Sequence, residues 1–370
     1  MSSTDLEQRS TFAGFARDRG RPGIRNRVLV IPSVICSHFV ADTIAESVPR
    51  AVAASHDHGC AQIGIDKETT RRTMINVGLN PNISGVVVVG LGCEGVQSSV
   101  VVEGVEEAGV PVESVVIQEL GGTDPCIDAG RDIASKFATS AERAPIDMSS
   151  LTVGIVSSDL EETTLDIAEP KVTRLIEKLT DAGARTVVAG TERFVAAADA
   201  LDSRLDTSKA REGYEEMVDR HLDTVPRLTR TQQRVEELPS SSLTGILGSS
   251  HVRDVLGYGE RATHQEGVAI VDAPLRFEEA ATALAAAGAQ VIVHVTGEGV
   301  PTGHPIAPVI KLTGDDATAA ALAADIDRDA RETNVDDLFD LVRSVAEGAE
   351  TRAETHGVAD FAISRFGPSM

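Results

Sequence analysis

Short apolar runs alternate with stretches whose apolar residues recur at helical spacing along most of the chain, and this rhythm sets the expectation for the fold. Arg27–Pro32 is an apolar run bounded by turn residues, and residues 37–48 follow it with helix-spaced apolar positions. The same pairing recurs at 51–55 with 67–77, at 85–91 with 96–108, and at 112–118 with 124–138. Short apolar strands alternating with helices imply βαβ units, so residues 11–140 should form a sheet of about four parallel strands. A second series starts at 152–156, with a helix over 171–182 and a strand at Arg185–Ala189. Residues 191–240 read as charged and largely helical. Order returns with a strand at 268–272, an Ala-rich helix at 277–287, a strand at 290–295 and an amphipathic helix at 336–347.

The expected architecture is therefore α/β, two α/β lobes with mainly parallel sheets. A polar N-terminal tail covers 1–10, a first α/β domain spans 11–145, and a C-terminal α/β domain spans 150–370, with the polar stretch 139–150 as the boundary. A length of 370 residues agrees with two units, because single domains run to roughly 100–150 residues. No repeat of fixed period interrupts this reading.

Composition changes the picture in two ways. A formal charge of −23, with acidic residues spread along the whole chain, repels phosphate and argues against a nucleic-acid partner, as does the absence of Trp. The cations are 28 Arg and only 6 Lys, so the surface is dense in carboxylates and has lost most of its Lys. Concentrated salt screens such a surface, which predicts a salty cytoplasm. No apolar run approaches the ~18 residues of a membrane span, and no leader pattern opens the chain. A soluble cytoplasmic protein without membrane contact is expected, its four cysteines reduced.

Open parallel sheets bind ligands beyond the carboxyl ends of their strands. On the strands read above, Cys36 follows the first, His56, His58 and Cys60 the second, Cys93 and Glu94 the third, and Gly121, Gly122 and Thr123 the fourth. A lone cysteine is more often a small buried hydrophobe than a ligand, but these residues share one sheet edge. His, Cys and Glu together suit a divalent transition ion, while the lack of CxxC or HxxxH spacing argues against a structural zinc site. The glycines at 90, 92, 121 and 122 allow backbone N–H groups to approach an anion at helix starts. Arg17, Arg19, Arg21, Arg25 and Arg27 form a cationic stretch that suits carboxylate binding, with partner contact or solvated charge as the alternative. Thr296 and Gly297 follow another strand, with His304 and Lys311 close behind. Lys311 reads as a general base, a substrate contact or the partner of a carboxylate.

Several of these motifs carry a resemblance. Gly20-Arg-Pro-Gly-Ile-Arg-Asn26 resembles the DGRxGxRN opening of the altronate and galactarate dehydratases; His56-Asp-His-Gly-Cys60 resembles their HxxGC element; Pro81-Asn82 with Val89-Gly-Leu-Gly-Cys-Glu94 resembles their PN…GLGCE. Gly121-Gly122-Thr123, Val271-Asp-Ala-Pro274, Thr296-Gly-Glu-Gly299 and Pro308-Val-Ile-Lys311 are similar to later signatures of that family. The resemblance covers about residues 11–330. It departs at Thr163-Thr-Leu-Asp-Ile-Ala-Glu-Pro170, where the family usually has SGITANP, and around 245–259, where the family's EKxxG lysine is not recognisable.

The resemblance implies the large catalytic subunit of a sugar-acid lyase that removes water β to a carboxylate and gives a 2-keto-3-deoxy acid. Alternatives are a hydrolase cleaving a carbon–carbon bond of a 2,4-diketo-3-deoxy sugar acid, a sulfolactate sulfo-lyase, or a noncatalytic subunit. Family dehydratases generally use ferrous iron or a similar ion, so Fe(II) or Mn(II) is expected. Full-length members begin with a small SAF-type domain, which implies a separate small SAF-domain subunit and a hetero- or homo-oligomer. In this reading His56 and His58 exchange protons with a sugar-acid substrate. Cys60, Cys93 and Glu94 hold the metal. Arg21, Arg25, Asn26, Gly121, Gly122, Thr123, Thr296 and Gly297 contact the substrate, and Lys311 holds it or acts as a base.

Overall fold

The computed structural model describes residues 10–18, 20–222 and 230–367. The expected polar tail, apart from Ser10, and Arg19 lie outside the described residues, as do residues 223–229 of the charged helical stretch.

After β1 (Thr11–Gly14), the first lobe runs β2 (Arg27–Pro32), α1 (His38–Ser47), β3 (Ala51–Ala53), α2 (Gly64–Gly78), β4 (Ile83–Gly90), α3 (Ser98–Glu107), β5 (Val112–Val116) and α4 (Thr123–Phe137). Its strands form a parallel sheet in the order β3-β2-β4-β5. β2 shows why: Val28 and Val30 enter one apolar core with α1 and α4, while Leu29 and Ile31 enter another on the opposite face. A strand covered on both faces is apolar throughout. The stretch read as a polar boundary carries β6 (Ala144–Asp147), which pairs antiparallel with β1 and brings the chain back to where it entered.

The second lobe begins with β7 (Thr152–Ser157), a π-helical turn at Thr164–Ala168, α5 (Glu169–Asp181) and β8 (Arg185–Ala189). It continues through short helices to α6 (Ser208–Leu222), β9 (Val252–Leu256), β10 (Gly267–Val271), α7 (Phe277–Ala286), β11 (Val291–Val295), β12 (Val309–Thr313), β13 (Arg328–Asp329) and α8 (Val335–Ala346). Its seven strands lie parallel in the order β13-β12-β11-β7-β8-β10-β9. Among the described residues no helix is long and apolar enough to cross a membrane.

The lobes share a core. α7 is buried on all sides, and its alanines pack between the Leu29 and Val86 face of the first sheet and the Val187 and Ile292 face of the second. Only small side chains let a helix sit this close to its neighbours on every side. Buried polar groups then lock the lobes together. The Asn82 carboxamide accepts from the Ile24 and Arg25 N–H groups at 3.0 and 3.1 Å and donates to Gln290 O and Ile306 O at 2.8 and 3.1 Å. This gives the Pro81-Asn82 motif a structural role, since each of those backbone groups would otherwise be buried unpaired.

The cationic stretch does similar work. Arg21 donates to Ser149 O at 2.8 Å, Leu151 O at 3.2 Å and Gln265 O at 2.5 Å. Arg25 grips both oxygens of Glu354 at 2.9 and 2.8 Å and also donates to Val345 O and Ala349 O. Asn26 accepts from Arg17 and donates to Thr139 O. These residues precede β2, at the amino end of the sheet, and their donors hold protein carbonyls and carboxylates. They brace the lobes at the edge opposite the cysteines.

Candidate active site

The carboxyl edge of the first sheet faces a cleft of about 520 Å³ between the lobes. Ile35, His38, His56 and Asp57 line its first-lobe wall, Arg276, Glu278 and Glu279 at the start of α7 line the other, and residues 360–363 with Arg365 close it. The C-terminal segment is pinned on both sides. His58 and Asp66 of the first lobe bond Ile363, Phe366 and Gly367, and the Tyr258 hydroxyl of the second lobe donates to Ala362 O at 3.3 Å.

His56 and His58 meet here, but not as free acid and base. The buried His56 ring donates from Nε2 to Pro32 O at 2.8 Å and accepts at Nδ1 from the His58 N–H at 3.2 Å. His58 donates from Nε2 to Ile363 O at 3.0 Å and accepts at Nδ1 from Thr70 Oγ1 and from Gln62. Burial pushes His56 down to about 4 and lowers His58 as well. Both rings have both nitrogens engaged here: His56 fixes the loop and His58 anchors the C-terminal segment.

His38 also lines the cleft, unread in the sequence because it sits at a helix start without a motif. Its Nδ1 faces the Ile35 carbonyl at 2.6 Å and must carry the proton. Among the described residues Nε2 meets no partner, on an exposed side chain at the cleft. Arg276 and Arg365 were also missed. Arg365 pairs with Asp57 at 2.8 Å, and Arg276 is largely exposed, with Glu278 and Glu279 nearby.

Cys36, Cys60 and Cys93 are exposed beyond β2, β3 and β4, while Cys126 is buried in α4. Glu94 is buried and committed: Ser33 Oγ donates to Oε1 at 2.9 Å and the Gly92 N–H to Oε2 at 2.6 Å. Among the described residues, no three His, Cys, Asp or Glu side chains gather as a single-ion cage. The Cys60, Cys93 and Glu94 set therefore does not fit a mononuclear Fe(II) or Mn(II), which prefer oxygen and nitrogen donors to exposed thiols. Gly121 and Gly122 take positive φ ahead of α4, with open space where a Cβ would project, so Thr123 opens its helix onto this same edge.

Two family profiles divide the chain between them. Residues 14–142 match the profile described as D-galactarate dehydratase/Altronate hydrolase, second domain, and residues 148–369 match D-galactarate/Altronate dehydratase, C-terminal. The chain belongs to the galactarate/altronate dehydratase family. Within it, the chain is 30% identical to the β subunit of (2R)-sulfolactate sulfo-lyase from Chromohalobacter salexigens, across 96% of this chain and 97% of that one. It is 27% identical to altronate dehydratase of Bacillus subtilis, across 97% of this chain and 78% of the relative, and 25% identical to galactarate dehydratase (L-threo-forming) of Escherichia coli, across 93% and 70%. None of these relatives is named as an enzyme that cleaves a carbon–carbon bond.

The remaining family signatures lie in the second lobe. At the crevice between β7 and β11, the Asp159 carboxylate accepts from the Gly297 N–H and from Thr164 Oγ1, both at 2.6 Å, and Thr296 Oγ1 accepts from the Gly299 N–H at 2.9 Å. Thr296 and Gly297 thus staple a loop instead of facing the cleft. Lys311 lies buried in β12, donates to Pro301 O, and is lowered by burial. It does not reach the cleft either. Beyond β10, buried Asp272 accepts from Thr191 Oγ1 and His221 Nε2, both at 2.8 Å, and from Arg220.

Burial also makes a pH prediction. It pushes His56 to about 4 and His294 and His304 to about 3, while the unfolded chain protonates its histidines as pH falls below ~6.5. The unfolded state then binds more protons, so these groups contribute stability above ~6.5 and lose it as pH falls toward 4. Tm followed across pH should be flat near neutrality and fall steeply below 6.5. His56→Gln, which keeps a donor for Pro32 O, should shallow that fall by about one proton; an unchanged slope would contradict the assignment.

Proposed function

We propose that this chain is the catalytic subunit of a lyase that expels a group β to a carboxylate, water from a sugar acid in the first instance. The observation that carries the reading is His38 Nε2, an open base on a cleft that also holds two arginines. Arg276 and Arg365 would hold the substrate carboxylate and offset the negative charge that develops as the α-proton leaves. His38 would take that proton, the C3 hydroxyl would leave as water after protonation, and the enol product would relax to the 2-keto-3-deoxy acid. A second reading, sulfite expelled from sulfolactate to leave pyruvate, begins with the same proton and is favoured by the match that spans nearly all of a sulfo-lyase β subunit.

An anaerobic screen against altronate, galactarate, sulfolactate and a 2,4-diketo-3-deoxy sugar acid tests both readings. It should be run in concentrated KCl, which screens the acidic surface. A 2-keto-3-deoxy acid supports dehydration, sulfite with pyruvate supports the second reading, and no elimination product from any of them defeats both.

The reading includes a small second subunit of SAF type. Ile35, Phe39, Ile63, Ile65, Val100 and Leu120 are exposed apolar residues, and all lie in loops or first helical turns at the carboxyl edge of the first sheet. Such a collar is what a capping subunit would cover. Phe39, 61% exposed, can be changed without disturbing the fold. Phe39→Asp is expected to weaken association with the small subunit ~30-fold or more, read by titration calorimetry, while the Tm of the chain alone stays unchanged. Undiminished association would move the interface elsewhere.

A further inference from the structure

We infer that Cys36, Cys60 and Cys93 together bind an iron–sulfur cluster at the carboxyl edge of the first sheet. The three cysteines follow the three adjacent strands β2, β3 and β4, and all three are exposed, whereas the fourth cysteine of the chain is buried in α4. Exposed free thiols are a liability to a soluble protein, and three at one sheet edge call for a ligand.

The loops that carry them are fastened to one another. The Ile35 N–H donates to His58 O at 2.8 Å, tying the Cys36 loop to the Cys60 loop. Ser33 Oγ donates to Glu94, tying the Cys36 loop to the Cys93 loop. Gly95 lies against the Cys60 carbonyl, 3.1 Å from where a Cβ would stand. The side chains are also close: Cys60 is within hydrogen-bonding contact of Cys93, with Cys36 and Glu94 near enough to interact.

The chemistry of the donors selects the cation. Only sulfur is on offer, because both Glu94 oxygens are engaged. Among the described residues no three His, Cys, Asp or Glu side chains form a single-ion group. A cluster, whose metal atoms are spread apart and which takes thiolate ligands, fits such a set where one hard ion does not. The three thiols release their protons to solvent as they bind. With three protein thiolates, a four-iron cluster keeps one iron without a protein ligand, and the Cys36 loop that would carry it also contributes Ile35 and His38 to the cleft. The use of the centre rests on the elimination reading; its existence does not, and the test below involves no turnover.

The full chain is purified anaerobically, loaded with Fe(II) and sulfide, and desalted. Expected are iron and acid-labile sulfide in equal amounts and the broad visible charge-transfer absorption of thiolate-bound clusters. Cys36→Ser, Cys60→Ser and Cys93→Ser should each lose most of that absorption, and Cys126→Ser should keep it. Alkylation of the unsubstituted chain covers the case of a variant that misfolds: the three exposed thiols should be protected when loaded and reactive after chelation. Iron without sulfide, zinc in preference to iron, full absorption in Cys36→Ser, or unprotected thiols in the loaded chain would each overturn the inference.

Discussion

His38→Asn is expected to lower turnover ~10²–10⁴-fold, the usual worth of a positioned proton acceptor, with Tm unchanged. Asn retains a donor that can satisfy the Ile35 carbonyl, now held by Nδ1 at 2.6 Å, and deletes only Nε2. The side chain is exposed, so little packing is lost. A base that acts only on the bound substrate should lower kcat and kcat/KM together and leave KM nearly unchanged. His56→Gln provides the contrast, since a fully engaged, buried ring should act on stability before rate. If His38→Asn turns over within a few-fold of the unsubstituted chain, the base is elsewhere and the cleft loses its chemical role.

The largest stability effect is expected at Glu169. Its carboxylate pairs with both terminal nitrogens of Arg193 at 2.6 and 3.0 Å, and Arg193, wholly buried, also donates to Leu243 O at 2.6 Å and Ser242 O at 3.2 Å. This one guanidinium joins α5, the helix Thr191–Ala196 and the helix Ser240–Leu243. Glu169→Ala would leave a buried cation unpaired at a cost of about 3–5 kcal/mol, or roughly 4–6 °C in Tm for a chain of this length. Replacing both members with apolar residues of similar volume should recover most of that loss, because neither charge then needs compensation. Melting of the single and double variants in the same salt checks this, and a single variant within 2 °C of the parent would refute it. Glu169 lies in the segment where the chain departs from the family's usual sequence, so the departure serves the packing of the second lobe.

Much of the scaffold was legible because parallel strands covered on both faces are written as apolar runs, as in β2, β4, β8 and β11. The strands that were missed carry polar residues for tertiary reasons. β12 has Lys311 at its centre, and β9 has Arg253 and Asp254; β1 and β6 are four residues each and recognisable only as a pair. The cysteines were legible as occupants of one sheet edge once the strand order was read. The roles of the histidines and arginines were not, because a side chain's type says what it can do and its neighbours decide what is left for it to do. Arg21 and Arg25 find carbonyl partners more than a hundred residues away.

By itself the sequence determined the α/β alternation, the family, and the set of cysteines at the carboxyl edge, since each is a matter of local pattern and order along the chain. Only the tertiary structure decided that His56 and His58 are engaged at both ring nitrogens, that Lys311 is buried, that Arg21 and Arg25 brace the lobes, and that His38 lines the cleft with Nε2 meeting no partner among the described residues. Burial and hydrogen-bond partners are properties of residues brought together from distant parts of the chain, and they set which titratable groups remain available for chemistry.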